Sequence, residues 1–143
     1  NITTITMNNL IPAALIILFV FLISGCSGTK ETSSAKIEGI EWKLESLKGS
    51  PVALKSGSSI TLSFDGSSAK ISGTGVCNKY FGGYTKTDDA LVFSGIGSTK
   101  MMCDDNINES DYFSMLGTID SYKLSGGKLT LISKGSAIAV FTK

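Results

Sequence analysis

Three cysteines, Cys26, Cys77 and Cys103, are the residues of this 143-residue chain best suited to chemistry, and there is no histidine to assist them. Without His the chain lacks the usual proton carrier near neutral pH and the commonest nitrogen ligand for metals. Serines abound, but an ordinary Ser-His-Asp triad is excluded by the same absence. Asp104-x-Asn106-x-Asn108 opens like a calcium loop, yet Glu109 stands where the sharp bend needs Gly and Met115 stands where the bidentate Glu belongs. Helix capping explains that run better. Asp88-Asp89 reads as a solvated turn. Gly73-Thr74-Gly75 is too short for a dinucleotide loop and reads as a bulge or a close approach of backbones. Tyr80, Phe81 and Tyr84 offer either an aromatic recognition surface or cross-strand packing, and packing is the commoner use of aromatics beside glycines in a strand. No catalytic residue, metal site or cofactor is expected.

The charge balance excludes a further class. All 13 basic residues are Lys, set against 12 acidic ones, for a net charge of +1. Neither a basic surplus nor Arg is present to neutralise phosphates and grip them bidentately, so nucleic acid is not an expected partner.

Cys26 has a different context from the other two cysteines. Leu10 to Ile23 is an uncharged apolar run, shorter than the roughly 20 residues a bilayer-spanning helix needs and of the length of a signal-peptide core. Ile23-Ser24-Gly25-Cys26 follows and resembles the lipobox of prokaryotic lipoproteins, in which an aliphatic and two small residues precede the cysteine that receives a diacylglyceryl group. That resemblance implies a signal peptide over residues 1–25, with Met7 a candidate start, and a mature protein beginning at a lipid-modified Cys26. Residues 26–38, polar and rich in Ser, read as a flexible tether, leaving a folded domain at 39–143.

Cys77 and Cys103 then form a pair of the kind expected in an oxidising compartment. A disulfide between them would close a loop of 26 positions, worth about 3–4 kcal/mol on the loop-entropy model. A redox-active pair or a thiolate metal site is the alternative. Against it stand the lack of Cys-x-x-Cys and of any other Cys or His to complete a coordination sphere.

The elements that must position these residues are mostly strands. Period-two alternation recurs between turn signals: Trp42 and Leu44; Ile60, Leu62 and Phe64; Ala69, Ile71 and Gly73; Leu91 to Phe93; Tyr122 to Leu124; Leu129 to Ile132; Ile138 to Phe141. Asp65-Gly66-Ser67-Ser68, Gly126-Gly127 and Lys134-Gly135 supply turns. One segment has a helical period, with Tyr112, Met115, Leu116 and Ile119 on one stripe and Asn108 as its N-cap, while Glu109 and Asp111 place negative charge at the helix start. The expected fold is mainly β (α+β): a small antiparallel, β-barrel-like domain with one α-helix inserted late in the chain.

Two clusters go beyond a generic β protein. Gly75-Val76-Cys77-Asn78, running on to Gly82-Gly83-Tyr84, and Thr99-Lys100-Met101-Met102-Cys103, followed by Glu109 and Phe113, resemble the motifs of the META (HslJ-like) domain family over about residues 40–142. Gly75, Cys77, Asn78, Gly82, Gly83, Tyr84, Thr99, Met101 and Cys103 occupy matching places. Val76 stands where that family usually has Gly, and Lys100 replaces its usual Arg. The resemblance implies a small barrel-like domain, commonly exported, linked to envelope stress or drug tolerance in bacteria and without an established catalytic activity. The functional expectation is a non-enzymatic envelope lipoprotein, monomeric, held to the membrane by its lipid and able to bind an envelope protein partner. A small-molecule carrier with a ligand inside the barrel is the alternative.

Overall fold

The computed structural model describes residues 36–143; the signal-peptide expectation, Cys26 and most of the tether lie outside the described residues. The packed body begins at Ile37, which is fully buried and whose carbonyl accepts the Trp42 indole N–H at 2.9 Å. Ile37 and Glu38 therefore belong to the fold, ahead of the boundary expected at residue 39.

Nine strands follow: β1 (Glu41–Leu47), β2 (Ser50–Pro51), β3 (Thr61–Asp65), β4 (Lys70–Thr74), β5 (Lys79–Lys86), β6 (Leu91–Ser98), β7 (Ser121–Ser125), β8 (Lys128–Ser133) and β9 (Ser136–Thr142). A single helix, α1 (Glu109–Leu116), interrupts them between β6 and β7. All pairings are antiparallel, in the order β6-β5-β4-β3-β1-β9-β8-β7, with the short β2 on the end of β1. Alternation decides which residues face inward: Trp42 and Leu44 from β1, Leu62 and Phe64 from β3, Leu129 and Leu131 from β8 are all buried.

The class is mainly β, as expected, but the sheet is not closed. Its edge strands touch only at one corner, through an isolated Ala90–Ser121 bridge, with the Leu91 N–H on the Asp120 carbonyl and the Tyr122 N–H on the Asp89 carbonyl. The physical reason is the long connection between them. Residues 99–120 carry α1, which sends Tyr112, Met115 and Leu116 into the core and thereby buries apolar surface without any edge-to-edge ladder.

Turn chemistry departs from the simplest reading at one hairpin. The β3–β4 turn places Ala69, not Gly66, in the left-handed region, at φ +52°. The Asp65 carboxylate organises that turn by accepting from the Ser67 N–H and from the hydroxyls of Ser67 and Ser68. At the β7–β8 turn both Gly126 and Gly127 have positive φ, the geometry of a tight two-residue hairpin loop.

Candidate functional site

Two loops converge beside the start of α1: the β4–β5 connection carrying Gly75 to Asn78, and the β6–α1 connection carrying Thr99 to Asn108. Cys77 and Cys103 join them in a disulfide with Cα atoms 5.8 Å apart. Sequence proximity had no part in this, since the pair is 26 positions apart. What brings it together is the β5–β6 pairing, which sets Tyr80 opposite Ser98 and continues into Thr99 N–H to Lys79 carbonyl.

Asn78 is the hub. Its side chain is buried, and its Oδ1 accepts from the Thr99 hydroxyl at 2.7 Å and from the Met101 N–H at 2.6 Å. Its Nδ2 donates to the Met101 carbonyl at 2.9 Å and to Glu109 Oε2, and lies 3.4 Å from Cys103 Sγ. Every bonding direction of the amide is used, and a buried amide that lost these partners would carry a desolvation cost.

Glu109 answers from the helix. Asn108 caps α1 by accepting from the N–H groups of Ser110 and Asp111, which sets Glu109 as the first helical residue, facing the β4–β5 loop. Its Oε1 accepts from the backbone N–H groups of Cys77 and Asn78, both at 2.9 Å. Burial works against its charge, but the backbone and side-chain N–H groups of Asn78 and the N–H of Cys77 outweigh that and hold the carboxyl below its ordinary value. Gly75 makes the approach possible, because a Cβ there would stand 2.6 Å from Glu109 Oε1 and 3.0 Å from the Phe113 ring.

The arrangement is a staple that fastens two loops to the start of α1. Cys77, Cys103 and Glu109 bring their ligand atoms within 4.8 Å of one another, but the two sulfurs are bonded to each other and the carboxylate oxygens already hold N–H donors. A carboxylate that has lost its proton and is held by several donors is suited to binding backbone and poorly suited to moving protons near neutral pH.

The other motif residues are distributed. Gly75, Cys77, Asn78, Thr99, Met101 and Cys103 gather here, whereas Gly82, Gly83 and Tyr84 lie farther along β5. Gly82 lets β6 come close, since a Cβ would meet the Ile96 side chain and the Ser94 carbonyl. Tyr84 is buried, packs edge-on against Phe64 at 5.2 Å, and its hydroxyl donates to Glu38, itself paired with Lys86. The aromatic run divides: Tyr80 is buried and its hydroxyl meets that of Tyr112 at 3.0 Å, while Phe81 is 61% exposed. Val76 is buried in the core, so an aliphatic side chain there contributes packing.

The sequence places Glu109 at the helix dipole and after the Thr99–Cys103 cluster, but nothing in it marks the grip of Glu109 on the opposite loop. Asp105 was missed as well; its carboxylate accepts from the N–H groups of Lys55 and Ser56, tying down the segment after β2, and no local pattern marks it.

The fold has solved counterparts. One is an NMR structure 24% identical, covering 71% of this chain and 86% of its own at a TM-score of 0.55. A second, an NMR structure of a protein from Burkholderia xenovorans, is 23% identical and covers 74% of this chain and 82% of its own at 0.52. At such identity these show the fold alone. Among curated proteins none matches significantly. The META domain model matches residues 35–143, the whole body that carries the Asn78–Glu109 staple, and the chain belongs to the META domain family.

Proposed function

We propose that the protein is an exported envelope lipoprotein, anchored by a lipid on Cys26, whose META domain acts without catalysis by binding another envelope component and supporting the envelope under stress. The observation that carries this reading is the Cys77–Cys103 disulfide, set into a hydrogen-bonded frame of Asn78 and Glu109. Such covalent closures persist in oxidising compartments and are rare in the cytosol. The apolar run ending in Ile23-Ser24-Gly25-Cys26 supplies the matching address. Family membership supports the kind of protein. The titratable groups nearest the disulfide are engaged in holding loops together, which favours a binding role over turnover.

The carrier alternative meets a filled interior. Trp42, Tyr80, Tyr112, Phe141 and Leu116 occupy the space inside the curled sheet, each nearly inaccessible to solvent.

Expression of the full chain in a bacterial host tests the proposal. The amino-terminal peptide should carry the mass of a diacylglyceryl-modified Cys26, and Cys26→Ala should release the protein from the membrane fraction. An unmodified chain in the soluble interior with free Cys77 and Cys103 refutes export. Loss of the gene should sensitise the host to envelope stress, with rescue by the wild-type chain; defined-substrate turnover abolished by one substitution in the domain would overturn the non-catalytic part.

A further inference from the structure

At the edge of the domain, beside the β7–β8 turn, lies an open pocket of about 360 Å³ lined by the half-buried Ile40 and Leu124, with the buried Trp42 beneath them, and by Lys36 and Lys143. Two facts bear on what this rim can bind. First, both lysines are exposed, and neither belongs to an ion pair among the described residues, so their ammonium groups are available to an anion. Second, Lys143 lies beside the β7–β8 turn, its Cε at ordinary contact distance, 3.5 Å, from where a Cβ on Gly127 would sit.

Position adds a third argument. Lys36 is ten positions beyond Cys26, and even a fully extended chain of that length reaches at most about 35 Å. An anchor on Cys26 therefore keeps the pocket mouth within one tether length of the lipid surface, at a high local concentration of headgroups. Apolar floor and cationic rim together match a group that is anionic at its tip and hydrocarbon just behind it.

We infer that this pocket is a membrane-docking site that receives the phosphate headgroup of an anionic phospholipid, with Lys36 and Lys143 on the phosphate and Ile40 and Leu124 against the adjoining methylenes. The inference rests on the membrane-anchored reading above. Long lysine stems suit the task, since they lie along apolar surface while the ammonium stays at the polar boundary. Docking would fix the orientation of the domain on the membrane, which a flexible tether alone leaves free.

The unit from Ser34 to Lys143 is compact and holds its own core, so it serves as the soluble test protein, free of any anchor. It is sedimented with vesicles of phosphatidylcholine alone and of phosphatidylcholine with phosphatidylglycerol. Binding should require the anionic lipid and fall about fivefold for each lysine removed, thus about 25-fold in Lys36→Gln/Lys143→Gln, while Lys70→Gln/Lys79→Gln stays near wild type. Equal binding to neutral vesicles, equal loss in both double variants, or inorganic phosphate bound as tightly as vesicles would each overturn the docking site. Because the anchor is read separately, by the mass of Cys26 in the full chain, loss of the lipoprotein reading and loss of the docking site give different results.

Discussion

Glu109 holds Asn78 at two points, its Oε1 taking the Asn78 backbone N–H and its Oε2 the side-chain amide, so that the first turn of the helix and the β4–β5 loop move as one piece. Replacing one carboxylate oxygen by an amide nitrogen sets donor against donor. Glu109→Gln should therefore lower stability by about 2 kcal/mol, as expected for hydrogen bonds to a partly buried charge, and Tm by about 8 °C at this domain size. Thermal unfolding at pH 7 checks this; an unchanged Tm would show the network to be ornamental.

The same carboxylate predicts a pH dependence. Its folded-state pKa lies below the ordinary 4.5, so its contribution is present above about pH 4.5 and is lost as pH falls through the lower, folded value. Asp65, held down to about 2 by Ser67 and Ser68, and Asp105 and Asp120 titrate in the same direction. The difference between wild type and Glu109→Gln isolates one group. It should shrink steadily as pH drops from 5 towards 3 in urea titrations, and a constant difference would refute the assignment.

Removing the disulfide should be the largest single effect. Cys77→Ala/Cys103→Ala should lose about 3–4 kcal/mol through the freed 26-position loop of the unfolded chain. The sheet should survive, because the Asn78 contacts to Thr99 and Met101 still join the two loops. Urea unfolding of oxidised, reduced and double-variant protein measures the difference, and coincident midpoints would contradict it.

Gly75→Ala and Glu109→Ala should be non-additive. The new methyl would displace the carboxylate by direct overlap, so once Glu109 is cut back to Ala the added cost of Gly75→Ala should fall by about 1 kcal/mol or more. A double-mutant cycle giving a coupling near zero would remove the steric explanation for this glycine.

Ala69→Gly should stabilise. Ala69 sits at φ +52°, where a Cβ costs about 1–2 kcal/mol, of which the greater freedom of glycine in the unfolded chain returns part. A net gain of about 0.5–1 kcal/mol in urea unfolding is expected, and a loss would indicate that the Asp65 network already relaxes the turn.

Much of the fold was legible in local patterns, for definite reasons. Leu62 and Phe64 alternate with polar neighbours, and Leu129 and Leu131 flank Thr130, because a half-buried strand has a period of two, and Asn108 announces α1 because a helix start needs an acceptor for its free N–H groups. Strand β5 was harder to read, since its glycines and exposed Phe81 break the alternation. The left-handed residue of the β3–β4 turn fell on Ala69 because the Asp65 side chain, a longer-range partner than the Asp-Gly pair suggests, sets the shape of that turn.

What the residues determined by themselves is therefore local and compositional: the exclusion of histidine chemistry, the strand and helix faces, and the two motif clusters with a cysteine in each. Tertiary structure alone decided that the sheet stays open at its β6 and β7 edges, that Phe81 faces out while Tyr80 faces in, and that Glu109 reaches across to Cys77 and Asn78. The reason is physical. Burial periodicity is carried by near neighbours, whereas a carboxylate and an amide 31 positions apart meet only after β4, β5 and β6 have paired and α1 has packed against them.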